Sequence, residues 1–317
     1  MPREKITVIG AGNVGATCAQ RILEQRLGDV VLLDINEGVA RGKALDLMQS
    51  GPVMGYAERI VGTADYRDTA DSDIVVVTSG AARKPGMSRD DLLKINFDIV
   101  TSVVRQAAAA SPEAVFIVVT NPLDAMVHAA LRVSGFPRQR VVGMGGILDT
   151  ARFQSFLAEA LGLSSLVVEA MVLGGHGDAM VPCISLARVS GAPVAELLPA
   201  DQIQAIVERT RQGGAEIVKW LQHGSAFYAP AAATVRMLAA VVRDEKALLP
   251  CAAWLEGEYG LHAQVLGVPV VLGRGGVERV VELELGVDDQ TALEASAVSV
   301  RKLTGTLETW LSARTPV

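Results

Sequence analysis

Ile6-Thr7-Val8-Ile9-Gly10-Ala11-Gly12-Asn13-Val14-Gly15 sets a short apolar run directly against a glycine fingerprint, and residues 13–26 continue with a helical pattern. Strand, glycine turn and helix, in that order, open a dinucleotide-binding βαβ unit. The glycines have separate tasks: one makes the tight turn, one lets the backbone approach a pyrophosphate, and one lets helix and strand pack closely. The helix start supplies free N–H groups and partial positive charge for phosphates. A second apolar run, Val30-Val31-Leu32-Leu33, ends on Asp34, 19 residues beyond Gly15. A carboxylate there accepts hydrogen bonds from the adenosine ribose and repels a 2′-phosphate, so the expected cofactor is NAD rather than NADP. Gly10, Gly12, Asn13, Val14, Gly15 and Asp34 are the expected cofactor contacts.

The rest of the chain agrees with that opening. Of 317 residues 50% are hydrophobic but only 4% aromatic, so the core must be built from Ala, Val, Leu and Ile. That suits buried parallel strands covered by helices. Further strands are expected at 74–78, 114–120 and 141–143, with helices at 38–48, 90–110 and 123–134 between them. The second half changes character. A helix at 150–161 leads into the apolar run Leu166–Val172, and short strands are expected at 182–189 and 192–194. Helices are expected at 201–220 and after Pro230, a hairpin of Val268–Gly273 and Gly276–Leu285 across Arg274-Gly275, and a last helix from about Asp288 with Leu293, Ala297, Val300, Leu303, Leu307 and Leu311 at helical spacing. The expected fold is α/β: an N-terminal Rossmann, doubly wound parallel sheet over 1–145, and a C-terminal α+β substrate and catalytic domain over 146–317.

Composition also excludes. The net charge of −6 lacks the basic footprint of a nucleic-acid binder. No apolar run reaches the length of a membrane span, and the N-terminus lacks a secretory apolar region. Three cysteines (Cys18, Cys183, Cys251) show no metal-ligand spacing, and their odd number argues against a disulfide framework. No metal site is expected, and the expected location is the cytoplasm.

The chemistry-bearing residues lie at strand exits. Leu173-Gly174-Gly175-His176-Gly177-Asp178 places one of four histidines between glycines, where a group suited to proton transfer near neutral pH can approach a ligand. Arg83 and Arg89 lie in the loop Ser79 to Asp91, and its Pro85-Gly86 pair favours a loop able to move. Arg152 follows Asp149 by three residues. A guanidinium grips a carboxylate with two parallel hydrogen bonds.

Together, the glycine fingerprint, Asp34, the Arg83/Arg89 loop, Asn121-Pro122, Asp149-x-x-Arg152 and Gly174–Asp178 stand in the order of a known family. The chain resembles the lactate/malate dehydrogenase superfamily along nearly its whole length, and looks most like the malate dehydrogenases close in sequence to lactate dehydrogenases. The resemblance implies that His176 is the catalytic acid/base and Asp149 the carboxylate that orients it. Arg152 then resembles the arginine on the substrate's C1 carboxylate, and Arg89 the mobile-loop arginine that polarises the carbonyl oxygen. Asn121 is implied to touch substrate and nicotinamide, with Asn96, Val119 and Gly80 as cofactor neighbours and Ser225 in the substrate pocket. Arg83 matches the position where the family's malate enzymes carry arginine and its lactate enzymes usually glutamine. A cation in a closed, water-poor site is costly without an anion to pair with it, which favours a dicarboxylate over pyruvate.

The resemblance thus implies reversible NAD-dependent oxidation of (S)-malate to oxaloacetate, with lactate or another 2-hydroxyacid as the alternative substrate. The expected partner is that small molecule, and the expected assembly is a homotetramer or homodimer. An NAD-dependent glycosidase would need a metal site, and a non-catalytic NAD sensor would need neither His176 nor Asp149.

Overall fold

The computed structural model describes residues 3–81 and 88–313, with Arg89 described by its backbone alone. The first half alternates strand and helix as expected: β1 (Lys5–Ile9), α1 (Asn13–Glu24), β2 (Asp29–Leu33), α2 (Glu37–Met54), β3 (Ile60–Thr63), β4 (Ile74–Val77), α3 (Arg89–Ala110), β5 (Val115–Val118), α4 (Leu123–Ser134) and β6 (Val141–Gly143). The second half holds α5 (Gly146–Leu161), β7 (Val168–Glu169), β8 (Val172–Gly174), β9 (Met180–Pro182), β10 (Arg188–Val189), β11 (Ala192–Pro193), α6 (Val194–Leu197), α7 (Ala200–Leu221), α8 (Tyr228–Val242), β12 (Ala247–Glu256), β13 (His262–Gly273), β14 (Gly276–Val280) and α9 (Val287–Ser312).

The chain divides into two compact units. One comprises the residues up to Met144 with Phe227–Ala247 and Leu272–Glu278; the other comprises Gly145–Ala226, Leu248–Val271 and the residues from Arg279. The expected partition into 1–145 and 146–317 is therefore a simplification, because two segments of the second half return to the first unit. The reason is apolar coverage. Helix α8 buries ten residues, mostly Ala, Val and Leu, and packs on α1 of the first unit.

In the first unit the strands run in the order β3-β2-β1-β4-β5-β6, and every pairing among them is parallel. Strands β4 and β5, Ile74–Val77 and Val115–Val118, are buried at every residue, as strands covered on both faces must be. From β1 the order leads outward through β2 on one side and β4 on the other, so the strand exits diverge there. Open α/β sheets bind ligands at that point. Edge strand β3 was not anticipated: Ile-Val-Gly-Thr is short, and only its two end residues are buried.

In the second unit, β12, β13, β8 and β9 lie side by side, with β13–β8 and β8–β9 antiparallel. A small sheet, β11-β10-β7, accompanies them. Their core is aliphatic with one phenylalanine at its centre: Phe153 and Leu157 of α5, Val172 of β8, and Ile203 and Ile206 of α7. Four expectations need correction here, and one strand was not expected. The apolar run Leu166–Val172 is not one strand but a 3-10 turn, the two-residue β7 and the start of β8, and Leu166 itself is exposed. Residues 182–189 are likewise split by a 3-10 turn at Ile184–Leu186. Strand β12 was missed because Pro250 interrupts its pattern, and β13 starts six residues before the expected Val268. Helix α8 starts before Pro230, which sits in its first turn, where a missing N–H costs nothing.

Candidate active site

At the exit of β1, Gly10 has φ +106, and a Cβ there would stand 2.7 Å from Thr78 Oγ1 and 2.9 Å from the Ser79 nitrogen of the neighbouring strand exit. Gly15 is more constrained still: its Cβ would fall 1.8 Å from the Gly10 carbonyl oxygen. These two glycines are required by the fold. Gly12 is different, since a Cβ there meets nothing of the described residues within 4 Å. The space above the loop is open at that residue, as a bulky phosphate group requires. Helix α1 starts at Asn13, and its first i−4 hydrogen bond runs from Ala16 N to Gly12 O. The N–H groups of Asn13, Val14 and Gly15 precede that bond and point out of the helix start.

Asp34 follows β2, and both its oxygens are held: Oδ2 accepts the Ala11 N–H at 2.7 Å and Oδ1 the Asn36 N–H at 2.9 Å. Lys43 of α2 donates to the Ala11 carbonyl at 2.7 Å and to that of Gly12 at 3.5 Å. The loop is thus held through both backbone groups of one residue, Ala11. Next to it, Ser79 Oγ is buried with no hydrogen-bond partner among the described residues. Open space over Gly12, free N–H groups and a placed carboxylate fit a dinucleotide's pyrophosphate and ribose.

Behind the β4 exit lies Asn96, 1% exposed. Its carbonyl oxygen accepts the Ala81 N–H at 2.7 Å, and its amide donates to the carbonyls of Ala81 at 3.1 Å and Asn121 at 2.6 Å. The packing leaves no room for a side chain at Gly80, whose Cβ would come within 2.5 Å of Thr120 Cγ2. Asn121 precedes a cis peptide bond to Pro122, and Val119 is buried, its N–H on the Val77 carbonyl. Asn96, Gly80 and Asn121 therefore form one group, with Asn96 acting on backbone. Arg83 lies outside the described residues, as does the side chain of Arg89.

The second unit assembles a charged cluster. Asp149 sits in the first turn of α5 and is 1% exposed. Its Oδ2 lies 2.7 Å from His176 Nδ1, and its Oδ1 accepts from Arg152 Nη1 at 3.1 Å. A buried carboxylate is tolerable only when paired in this way. His176 leaves β8 through Gly174 (φ +80) and is followed by Gly177 (φ +109). Arg152 is mostly buried, and its Nε has no partner among the described residues. A guanidinium with one arm on Asp149 and a buried N–H unused is prepared for another anion. Room for it comes from Gly213 of α7, where a Cβ would stand 3.0 Å from Arg152 Cδ. Ser225 is exposed, donates at 3.5 Å to the Ala226 carbonyl, and is not drawn into this cluster by a hydrogen bond.

Family models for the lactate/malate dehydrogenase NAD-binding domain and for the α/β C-terminal domain match residues 4–143 and 147–309. The chain belongs to the lactate/malate dehydrogenase family. A malate dehydrogenase of Desulforudis audaxviator is 56% identical over 95% of this chain and 97% of its own length. One of Rhodopirellula baltica is 54% identical over 97% and 98%. Among solved structures, the malate dehydrogenase of Picrophilus torridus superposes with a TM-score of 0.95 at 44% identity, covering 99% of this chain and all of that one. The lactate dehydrogenase of Cryptosporidium parvum, solved with lactic acid and β-nicotinamide adenine dinucleotide, reaches 0.94 at 39% identity with both chains fully covered. Family membership makes this chain an oxidoreductase with a nicotinamide-dinucleotide cofactor and a small-molecule substrate. Among the described residues no helix is long and apolar enough to cross a membrane.

Five features of this family member escaped the sequence reading. Lys43 and Ser79 carry no motif, and their placement depends on the packing of α2 and β4. Thr150 and Ser296, treated below, look like ordinary helix residues. Gly213-Gly214 did carry a signal, because a glycine pair inside a long helix costs stability unless something needs the space.

Proposed function

We propose that this protein is an NAD-dependent malate dehydrogenase that interconverts (S)-malate and oxaloacetate. The observation that carries the reading is the His176 Nδ1–Asp149 Oδ2 contact of 2.7 Å, with Arg152 on the carboxylate's other oxygen. When bound, NAD supplies the hydride acceptor. Gly10, Gly12, Gly15, the start of α1 at Asn13 and Val14, and Asp34 would hold it, with Gly80, Asn96, Val119 and Asn121 shaping the adjacent strand exits.

The residues of the chain do the rest. Asp149 engages Nδ1 of His176, which fixes that nitrogen as the N–H and leaves Nε2 as the site that takes or gives the proton. In malate oxidation, neutral His176 accepts the hydroxyl proton at Nε2, and Asp149 favours the imidazolium so formed. In oxaloacetate reduction the same nitrogen donates to the carbonyl oxygen. Arg152, whose buried Nε–H has no partner among the described residues, binds the carboxylate next to the reacting carbon. Arg89 stabilises charge developing on the substrate oxygen. Asn121 and Ser225 border the substrate.

Arg83 selects the substrate. The fold does not discriminate, since the lactate dehydrogenase of Cryptosporidium parvum superposes nearly as well as the malate dehydrogenases. A cation at position 83 pairs with a second carboxylate and is left unpaired by a methyl group, which is the basis for preferring malate. Relatives bearing the malate name at 52–56% identity support the same choice. The test is NADH oxidation with oxaloacetate or pyruvate at equal concentration and no added metal. Strong preference for oxaloacetate is expected; preference for pyruvate would overturn the choice of substrate.

A further inference from the structure

Two buried hydroxyls hold the ends of the short strand that delivers His176. At its start, the Val172 N–H donates to Thr150 Oγ1 at 2.9 Å. Just past its end, the Gly175 N–H donates to Ser296 Oγ at 2.8 Å. Thr150 is the residue after Asp149 on α5, and Ser296 lies on α9, the helix formed by the far end of the chain. Both hydroxyl residues are buried, as are Val172 and Gly175.

The packing around β8 leaves no slack. A Cβ on Gly174 would stand 2.6 Å from Ser296 Oγ and 3.0 Å from the Ala179 carbonyl. Across the pairing with β13, a Cβ on Gly267 would fall 2.3 Å from the Gly174 carbonyl oxygen. At the other end, a Cβ on Gly146 would stand 2.7 Å from the Val172 carbonyl. The start of α5 and the body of β8 therefore touch backbone to backbone. Without the two hydroxyls, the N–H groups of Val172 and Gly175 would be buried and unpaired, and the strand would move to satisfy them.

We propose that Thr150 and Ser296 are positioning residues for the acid/base pair, clamping β8 at both ends so that His176 Nδ1 stays on Asp149. Thr150 ties the strand to the helix turn that carries Asp149. Ser296 ties the loop residue next to His176 to the C-terminal helix, making α9 a structural part of the site. Neither touches a reacting atom. The inference rests on the acid/base reading of His176 given above. Displacement of a proton-transfer group by even a fraction of an ångström slows chemistry more than it weakens binding.

The test uses the full-length protein with Ser296→Ala, Thr150→Val, Thr150→Ser and the double variant Ser296→Ala/Thr150→Val, each first checked to be folded by its melting curve. Thr150→Val keeps the side-chain shape and removes the acceptor; Thr150→Ser keeps the acceptor. Ser296→Ala and Thr150→Val are each expected to lower kcat about tenfold, with KM for oxaloacetate changed less than about twofold. Thr150→Ser restores most of that loss. The double variant falls less than the product of the singles, because both act on one strand. A second readout needs no turnover: the proton NMR signal of the His176 Nδ1–H bonded to Asp149, expected in the wild type without ligands, should broaden or vanish in both acceptor-less variants. Variants that melt earlier but keep wild-type kcat and that signal would overturn the clamp. Should His176→Asn retain turnover, the acid/base reading fails instead, and the NMR signal still decides whether the hydroxyls hold His176 on Asp149.

Discussion

Two glycine-rich strand exits in this chain solve opposite problems. After β1, Gly10 and Gly15 let backbone pack closely on its neighbours, and Gly12 leaves open the space proposed for a ligand. After β8, Gly174 and Gly177 adopt left-handed backbone so that one side chain, His176, can be presented. Their aspartates differ to match. Asp34 is held by backbone N–H groups, whereas Asp149 is buried and held by a histidine and an arginine. Backbone recognition needs contiguous sequence, while side-chain chemistry needs partners from several helices. Damage to the first loop should therefore appear as lost cofactor affinity, and damage to the second as lost turnover.

Replacing the side chain that the second loop presents is the most severe way to probe that division. His176→Asn should lower kcat by about 10²- to 10⁴-fold while NADH affinity, read by fluorescence titration, stays near wild type. A comparable loss of affinity would erase the distinction between the loops. Next comes the exit of β4, where a side chain is proposed to choose the substrate. Arg83→Gln should shift the oxaloacetate-to-pyruvate ratio of kcat/KM by about two orders of magnitude towards pyruvate, since a cation able to pair with a second carboxylate is traded for a neutral group. An unchanged ratio would remove Arg83 as selector.

The first loop can be divided internally. Gly15→Ala drives a methyl against the Gly10 carbonyl and should cost about 3 kcal/mol of stability or more, seen as a lowered melting temperature. The methyl of Gly12→Ala meets no atom of the described residues within 4 Å, so stability should change by less than about 0.5 kcal/mol while NADH binding weakens. Equal melting shifts would show that openness at Gly12 is not reserved for a ligand.

An effect confined to alkaline pH concerns α1 behind that loop. Burial pushes the Cys18 thiol from 9.0 up to about 12, with a side-chain hydrogen bond to Thr234 opposing the shift. A folded-state value above the unfolded one contributes stability that is complete below about pH 9 and is lost as pH rises towards 12. The slope is about 1.4 kcal/mol per pH unit for one such thiol. Cys183 behaves in the same way, with burial as the main cause and the charge of Asp289 adding to it. Urea unfolding across the alkaline range should show Cys18→Ala less stable than wild type at neutral pH but with a flatter alkaline decline. An identical decline would remove Cys18 as a cause.

Much of the fold was legible because period and punctuation agree in the first unit. Ile74–Val77 and Val115–Val118 are uninterrupted apolar runs bounded by helices, and they fold as fully buried parallel strands. In the second unit, equally apolar residues misled. Leu166–Val172 reads as one strand, yet Ser164 caps a 3-10 turn there and the chain bends away. Strand β12 was hidden by Pro250, whose tolerance depends on the neighbours it faces. The candidate residues fared likewise. Asp149, Arg152 and His176 came together as one hydrogen-bonded cluster, while Ser225 was not joined to it.

The sequence by itself determined the parallel sheet, the glycine cradle and the choice of candidate residues for the chemistry. These rest on hydrophobic period, on backbone freedom and on residue types that few other tasks require. Only the tertiary structure decided which partners hold them. Thr150 and Ser296 are 146 positions apart, and Lys43 stands 32 beyond the Ala11 carbonyl it meets. A hydrogen-bond acceptor carries no local signature in sequence, because its value depends on which buried N–H folding brings within 3 Å.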